Sequence, residues 1–458
     1  MSPRRLNLQL FRVTGGSSRK PLDVWPVLPL VIQGHVYDSL VDDVVAELEH
    51  SDRIYRIDLN CRIYSTSQIQ KLWTAIQVPF PNLAVLCLSL EDITRLWSYR
   101  GFSYGPALLD SLLGGSVPHL RFLSLTYIPF PGLPEVLLSA THLVKLWLSN
   151  IPHSGYISPE AMVTCLSMLT RLEEVKLQFL SPQVSPDQEG RRPPPPTRSV
   201  LPALKTFFFK GVNEYLEDIV ARIDTPRLDR LLATFFNDIN FNTPELNEFI
   251  SRTPSLGGYD ETRLIFHRRG AQVRLCQFQP ERSDHRMTEV NILCEVSDWQ
   301  LSSLAQICTL SLHPLSTMED LYIYEDPDSP PYWTDGIETT EWLDLLRPFT
   351  AVKNLYLSKQ ISARIAPALR DLAGARTTEV LPTLKNVFLE GFQSSEPVQE
   401  DIAQFISARR LTNHPVTTSV WDRDLVRDVS PSARQYNSAS ATSTGKLRFS
   451  PVQFVSSC

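Results

Sequence analysis

A short motif of three apolar residues recurs ten times along the chain, and it constrains the fold more than any other feature of the sequence. The apolar residues stand at positions 0, 3 and 5, often with a proline two residues ahead of the first. The leading residues are Ile54, Leu83, Leu120, Leu143, Leu172, Leu204, Leu228, Met318, Val352 and Leu384. Within each of the two runs, successive leading residues lie 23 to 37 positions apart. Such intervals indicate a repeat architecture, in which each unit buries its apolar side against its neighbours.

The spacing inside the motif predicts a turn followed by a strand. The last two apolar residues are two positions apart, so they share one face of a strand, whereas the first lies in the turn before it. Prolines such as Pro81, Pro118 and Pro382 fit that turn, because proline cannot donate to a central ladder. Parallel strands need a crossover, and the intervals are long enough for a helix. We therefore predict an α/β fold: a leucine-rich-repeat-like solenoid of alternating short parallel strands and helices, with an irregular β insert in the middle.

Amphipathic segments between the repeats predict the helices. Residues 67–77, for example, place Ile69, Leu72, Trp73 and Ile76 on one helical face. Two further helices are predicted from an N-cap residue followed by proline and an acid, and they begin at Pro159 and Pro244. The other segments with helical spacing are 38–48, 298–308, 338–347 and 397–409.

Interruptions of the repeat divide the chain into predicted segments. These are a partial N-terminal repeat or leader (1–25), N-terminal repeats (26–260), an irregular β insert (261–296), C-terminal repeats (297–423) and a disordered tail (424–458). Residues 181–199 are polar and proline-rich, and they are predicted to form a loop. The insert is predicted to contain a hairpin with strands at 262–266 and 271–275. The tail is rich in Ser, Thr, Arg and Asp and has no periodicity.

The residue between the last two apolar positions points away from the core and marks the exposed face of the sheet. In nine repeats this position holds Asp58, Cys87, Ser124, Trp147, Lys176, Phe208, Tyr322, Tyr356 and Phe388. Five of the nine are aromatic, and exposed aromatic side chains anchor many protein interfaces. We therefore predict that Trp147, Phe208, Tyr322, Tyr356 and Phe388 bind a protein partner. Two alternatives stay open: aromatic residues simply favour strands, or a loop or tail covers them.

The sequence lacks the motifs that carry common catalytic and cofactor chemistry. Phosphate-binding loops, dinucleotide fingerprints, nucleophile elbows and H-E-x-x-H are absent. Cys294, Cys308 and His313 match no zinc-ligand spacing, and the nine histidines are scattered. We therefore expect no enzymatic activity, no cofactor and no metal site.

Charge and composition indicate which classes of partner and which cellular compartment to expect. Lys and Arg number 44 against 50 Asp and Glu, which gives a net charge of −6 without a basic stripe, so no nucleic-acid partner is expected. No apolar run approaches the roughly 20 residues of a membrane span, so no membrane partner is expected. The seven cysteines form no C-x-x-C pair, and N-x-S/T sequons are absent. We expect a cytoplasmic or nuclear protein.

Three segments, taken together with the repeats, resemble the large group of fungal F-box proteins with degenerate leucine-rich repeats. The segments are LDVWPVLPLVIQG (22–34), ELEHSDRIYRIDL (47–59) and FISARRLTNHPV (405–416). The resemblance extends to about residue 423, and the order of the segments is more specific than any one of them. In that family, segments like SPRRLNLQL (2–10) directly follow the F-box.

The resemblance implies the substrate-recognition part of an F-box protein, serving a cullin–RING ubiquitin ligase, with its protein substrate on the exposed sheet face. The F-box itself is missing from this sequence, since Leu28-Pro29-Leu30 lacks the acid of the L-P-x-E-[IV]-L stretch that opens the module. We therefore expect binding to a ubiquitin-ligase adaptor only if an F-box exists upstream. The alternative is a stand-alone leucine-rich-repeat scaffold or interaction protein without a ubiquitin-ligase role.

Overall fold

The computed structural model of the chain has two compact units. The first comprises Met1–Phe236 with Glu248–Ser255, and the second comprises Asn237–Asn247 with Leu256–Cys458. The residues that the structure describes are 9–13, 29–90, 112–182, 197–236, 243–277, 286–294, 296–310, 312–333, 337–372, 378–391 and 396–421. The two units do not test the five segments predicted from the sequence. The units are groups of residues that contact one another, whereas the segments mark where the repeat motif is present or interrupted, so the segments stay predictions.

The first unit contains a parallel sheet whose strands follow the chain. Its strands are β1 (Gln9–Val13), β2 (Leu30–Tyr37), β3 (Ile54–Arg62), β4 (Val85–Leu90), β5 (Phe122–Thr126), β6 (Lys145–Ile151), β7 (Glu174–Phe179), β8 (Ser199–Val200), β9 (Thr206–Gly211), β10 (Ile223–Asp224) and β11 (Arg230–Phe236). The order in the sheet is β1-β2-β3-β4-β5-β6-β7-β9-β11, and every neighbouring pair is parallel. The short strands β8 and β10 form a separate parallel pair. β1 lies within residues 1–25, the segment predicted to be a partial repeat or leader.

Helices lie between the strands of the first unit. They are α1 (Val41–Leu48), α2 (Thr66–Ala75), α3 (Leu133–Ser139), α4 (Pro159–Met168) and α5 (Asn213–Val220). The stripe predicted for α2 is confirmed, because Ile69, Leu72 and Trp73 are fully buried. Ser158 caps α4 as predicted, with its hydroxyl accepting a hydrogen bond from the Ala161 N–H at 3.2 Å. A sixth helix, α6 (Pro244–Arg252), begins at the proline that predicts it.

The second unit contains a mixed sheet. Its strands are β12 (Glu261–His267), β13 (Gly270–Cys276), β14 (Met287–Leu293), β15 (Asp320–Glu325), β16 (Asn354–Leu357), β17 (Asn386–Glu390) and β18 (Thr417–Trp421). They are ordered β14-β13-β12-β15-β16-β17-β18, parallel from β12 to β18 and antiparallel around β13. Its helices are α7 (Ser297–Leu310), α8 (Thr339–Leu346), α9 (Lys359–Asp371) and α10 (Glu396–Leu411). Each of these four helices packs on the next, and α7, α8 and α10 match predicted segments.

The repeat motif builds the core of both units. All the apolar residues of the ten motifs are at most 4% exposed. Eight leading residues donate their backbone N–H to the carbonyl of the residue three positions earlier; they are Leu83, Leu120, Leu143, Leu172, Leu204, Leu228, Met318 and Leu384. The predicted turn before each strand is therefore confirmed at these positions. Across the first sheet the strand leucines are in register, as with Leu86, Leu123 and Leu146. The chain thus has the α/β fold with parallel repeat strands that the spacing predicts.

The predicted hairpin in the insert is present, and the insert is more regular than the sequence predicts. β12 and β13 pair antiparallel with Phe266 opposite Ala271, while β12 also pairs in parallel with β15. The three insert strands are therefore part of the sheet that contains the later repeats. A Cβ atom on Gly270 would overlap the carbonyl oxygen of Ile292, so only glycine fits where β13 begins.

Three of the predicted features fall wholly or partly outside the described residues: residues 1–8 and 14–25 of the partial repeat or leader (1–25), residues 183–196 of the proline-rich loop (181–199), and all of the tail (424–458). Among the helices that are described, none combines the length and the apolar character needed to cross a membrane.

Candidate functional site

In the first unit the predicted outward positions form one row across the sheet. Strand register places Asp58, Cys87, Ser124, Trp147, Lys176 and Phe208 side by side from β3 to β9. Each is half-buried, and its neighbours before and after in the chain include the fully buried residues of the core. The alternation read from the sequence therefore gives the correct face for all six residues.

Trp147 is held in place by polar and aromatic neighbours. Its indole Nε1–H donates to Glu174 Oε1 at 2.8 Å, and the ring of Phe122 meets it edge-on at 4.9 Å. Lys145 and Lys176 each place an ammonium group 5.8 Å from the centre of the indole ring. Lys145 also pairs with Glu174 at 2.8 Å. The indole is thus fixed, with two cations within reach of its ring.

Phe208 does not touch Trp147, because Lys176 on β7 lies between them in the row. The predicted set of five aromatic residues is therefore divided. Trp147 and Phe208 lie in the first unit and alternate with a lysine, while Tyr322, Tyr356 and Phe388 lie in the second unit. Sequence spacing placed all five on the outward side of their strands but did not show which rings meet.

The three aromatic residues of the second unit form a continuous stack, which we call the aromatic ladder: Tyr322, Tyr356 and Phe388. The rings of Tyr322 and Tyr356 are 4.1 Å apart and inclined by 7°, and those of Tyr356 and Phe388 are 4.4 Å apart and inclined by 8°. Their residues are direct register neighbours on β15, β16 and β17. Because the rings share their faces with one another, they present mainly their edges outward.

Two residues that the sequence analysis did not single out border the aromatic ladder. The guanidinium of Arg263, on β12, lies 5.6 Å from the centre of the Tyr322 ring, and Arg263 also pairs with Glu261. Trp421, on β18, meets Tyr356 edge-on at 5.7 Å and donates its indole N–H to the Leu357 carbonyl at 3.0 Å. Neither residue belongs to a repeat motif. For Trp421, the β-branched residues Thr417, Thr418 and Val420 just before it are typical of a strand and could have predicted β18.

A second row of polar side chains runs beside the aromatic ladder, two positions earlier on β15, β16 and β17, and it continues to Thr417 on β18. Thr417 donates to Asn386 at 2.6 Å, Asn386 donates to Asn354 at 2.7 Å, and Asn354 donates to Asp320 at 2.7 Å. All three hydrogen bonds run in the same direction, toward the carboxylate of Asp320. This row fixes the orientation of each amide, so that the polar and aromatic rows form one rigid surface.

Burial sets the protonation of this surface. It is the main cause that raises the pKa of Tyr356 to about 12, and the nearby Asp320 and Glu261 act in the same direction. Burial also raises the pKa of Tyr322, again assisted by Glu261. Both phenols therefore stay protonated and neutral at ordinary pH. The pKa of Asp320 is raised as well, chiefly by burial, although the hydrogen bond from Asn354 opposes the shift.

The described residues offer little that resembles a reactive centre. No group of three or more His, Cys, Asp or Glu side chains within the described ranges could hold a metal ion. Burial raises the pKa of the Cys61 and Cys276 thiols to about 12 and that of Cys87 to about 11, which keeps these thiols in the weakly nucleophilic form. What the surface does offer is a set of fixed aromatic and amide groups.

Comparisons with known proteins add little. No protein-family model matches the chain, and no curated protein gives a significant match. Among solved structures, the chain is similar to the leucine-rich repeat-containing protein LegL7 from Legionella pneumophila, at 10% sequence identity and a TM-score of 0.29. The match covers 87% of this chain and 97% of that one. A TM-score this low carries no argument about the fold or the function of the present chain, and the resemblance to F-box proteins stays a hypothesis.

Proposed function

We propose that this chain is a non-enzymatic, protein-binding repeat module. In this proposal each unit is a leucine-rich-repeat-like solenoid, and the outward faces of the sheets bind partner proteins in the cytoplasm or nucleus. The observation that carries the proposal is the aromatic ladder of Tyr322, Tyr356 and Phe388, which lies on the sheet face away from the core.

The aromatic ladder has the physical properties of a binding surface. Its rings are already ordered by stacking, so a partner would not lose much free energy in immobilising them. Ring edges supply apolar contact area, while the phenol groups and the adjacent amide row supply hydrogen-bonding groups. Aromatic residues surrounded by polar groups are enriched at the centres of protein interfaces.

The finer part of the proposal follows from the resemblance to fungal F-box proteins. We propose that the bound protein is a substrate for a cullin–RING ubiquitin ligase. A stand-alone scaffold would have the same surface without any connection to the ligase. Co-purification of the chain with the ligase adaptor separates these functions: recovery of the adaptor and cullin supports the ligase role, and recovery of partners without them supports the scaffold.

Comparative capture followed by titration tests the surface itself. Proteins captured from cell extract by the wild-type chain are compared with those captured by a Tyr322→Ser/Tyr356→Ser/Phe388→Ser variant, and a protein lost from the variant is purified and titrated against both. We expect the variant to lose binding by at least about a hundredfold, since interface anchors often contribute ~2 kcal/mol or more each.

The matched control is Tyr332→Ser, which removes an aromatic ring that is 64% exposed in the same unit and that contacts Arg268, in the turn between β12 and β13, rather than a ring of the aromatic ladder. It should bind the partner as the wild type does. If the triple variant is folded, as shown by its circular dichroism and its unfolding midpoint, and still binds the purified partner normally, the proposal is wrong.

A further inference from the structure

The outward face of the first sheet holds two lysines on adjacent strands that the sequence analysis did not connect. Lys176 on β7 is the register neighbour of Phe208, and Lys210 on β9 is the register neighbour of Gln178. The two lysines are therefore diagonal neighbours on one face, a relationship that places residues about 7–8 Å apart. Both are half-buried, and burial lowers the pKa of each ammonium group.

Neither ammonium group forms an ion pair with a carboxylate among the described residues, although the charge of Glu174 acts on Lys176 from the same strand. Glu174 is the only acid at the described outward positions of β7, β9 and β11, and it already pairs with Lys145 and accepts the Trp147 indole N–H. Arg230 adds a further positive charge at an outward position of β11. This face thus carries a local positive charge, although the whole chain is acidic at −6.

Aromatic rings border both lysines. The Lys176 ammonium lies 5.8 Å from the centre of the Trp147 ring, and the Lys210 ammonium lies 5.2 Å from the centre of the Phe236 ring. Phe208 lies beside Lys176 on the neighbouring strand, and it is two positions before Lys210 on β9, so it contributes to the same face. Such rings hold the lysine stems against the sheet but do not neutralise their charge.

We propose that the face formed by Trp147, Lys176, Phe208 and Lys210 binds an extended acidic peptide segment of a partner protein. In an extended chain, side chains two residues apart point the same way and lie about 6.6–6.8 Å apart, which matches the diagonal spacing of the lysines. Two acids separated by one residue would therefore meet Lys176 and Lys210 together. Apolar or aromatic side chains flanking the acids would contact Trp147 and Phe208. This inference rests on the proposed protein-binding function and specifies the chemistry of one partner segment.

A peptide fits the observations better than a nucleic acid. The net charge of the chain repels a long polyanion, whereas a segment with two or three acids gains local pairing at little long-range cost. Nucleic-acid binding depends on many phosphate contacts, and this face offers only a few cations that form no ion pair with another described residue: Lys176, Lys210 and Arg230. The affinity of the chain for a single-stranded oligonucleotide is compared with its affinity for the peptide to test this choice.

Fluorescence anisotropy measures the interaction directly. The probe is a fluorescein-labelled peptide of sequence Gly-Tyr-Glu-Val-Glu-Val-Gly, and the reference probe has both glutamates replaced by glutamine. We expect the wild-type chain to bind the glutamate probe at least about tenfold more tightly than the glutamine probe, with the difference shrinking as salt is added. This comparison needs no protein variant, so it cannot be confused with misfolding.

Protein variants then locate the site. Lys176→Met/Lys210→Met keeps the apolar stems and should weaken binding of the glutamate probe by about tenfold or more. The control Lys71→Met/Lys205→Met makes the same change in net charge at two exposed lysines of the first unit, which pair with Asp42 and Glu173, and it should bind the probe as the wild type does.

Three results would overturn the inference: equal affinity of the wild type for the two probes, equal affinity of the two double variants for the glutamate probe, or tighter binding of a labelled oligothymidylate than of the peptide. Any of them would leave the proposed function intact if the captured partner still depends on the aromatic ladder. A converse result is also informative. If the glutamate probe binds through Lys176 and Lys210 but no captured protein depends on the aromatic ladder, this inference is supported and the proposed role of the aromatic ladder is wrong.

Discussion

The phenol ring of Tyr356 lies parallel to that of Tyr322 at a distance of 4.1 Å, although the two residues belong to successive repeats. Neighbouring strands of a sheet are about 4.7–4.9 Å apart, which is close to the stacking distance of aromatic rings. The strand spacing therefore allows the rings of Tyr322, Tyr356 and Phe388, which stand at the outward position of successive repeats, to stack. In this way the regular spacing of the repeats produces a rigid outward surface from residues that are distant in sequence.

Removal of the middle ring should destabilise the second unit by a modest amount. Tyr356→Ala deletes both stacking contacts of the aromatic ladder, and we expect the free energy of unfolding to fall by about 1–2 kcal/mol. Tyr356→Phe keeps both stacking contacts and removes only the hydrogen bond between the Tyr356 and Tyr322 hydroxyls, so it should cost less, about 0.5–1 kcal/mol. Urea unfolding measures both values. Equal destabilisation by the two variants would show that the hydroxyl group, not the stacking, stabilises the surface.

The core leucines should contribute much more. Leu146 is fully buried, and Leu123 and Val175 are its register neighbours, so Leu146→Ala should cost about 2–5 kcal/mol. Ser124→Ala changes a half-buried outward residue of the same sheet and should stay within about 0.5 kcal/mol of the wild type. Denaturant unfolding followed by fluorescence compares them. A small effect of Leu146→Ala would contradict the assignment of the motif leucines to the core.

Arg409 should be a structural residue despite its charge. Its guanidinium is fully buried and donates to the carbonyl oxygens of Val380 at 3.0 Å and Leu381 at 2.6 Å. Arg409→Met would leave these buried carbonyls without their donor, so it should cost about 2–4 kcal/mol. The adjacent Arg410 is exposed on the same helix, and Arg410→Met should cost less than about 0.5 kcal/mol. Thermal unfolding that ranks the two variants the other way would refute this role.

The carboxyl group of Asp320 should make stability depend on pH. Burial raises its pKa in the folded chain above the ordinary value of 3.8, so the folded chain binds this proton more tightly than the unfolded chain. Folding stability attributable to this group is then highest in acid and falls as pH rises above about 4. Asp320→Asn should be more stable than the wild type at pH 7, with the advantage disappearing near pH 3. An advantage that is independent of pH would contradict the ionisation argument.

Local sequence patterns predicted the strands, the turns and the outward face because these features depend on short-range geometry. Side chains alternate along any strand, so Leu146 and Trp147 must face opposite sides wherever the strand lies. The same holds for caps: Ser158 marks the start of α4 through a contact with Ala161, three residues away.

Packing between distant segments was not readable in the same way. α9 contains Pro367, which argues against a helix, yet the burial of Ile361, Ile365 and Leu369 against the sheet outweighs that local preference. The sequence likewise gave no indication that Arg263, from the insert, and Trp421, from the last strand, would border the aromatic ladder.

The charged part of the candidate surface was missed for a related reason. Lys176, Lys210 and Arg230 come from three strands that are far apart in the chain, so no run of basic residues marks them. Only the strand register, which places β7, β9 and β11 side by side, brings them onto one face. Net charge averages over the whole chain and therefore cannot reveal such a patch.

Site-specific photo-cross-linking tests the central claim, that the outward sheet face binds a partner protein, most directly. The photoreactive residue benzoylphenylalanine replaces Phe388, at the end of the aromatic ladder, in one variant. It replaces the exposed Tyr332 in a second variant, which is the control. The chain is then irradiated with its purified partner. The account predicts a covalent product from position 388 and none above background from position 332. A product from position 332 alone would contradict it.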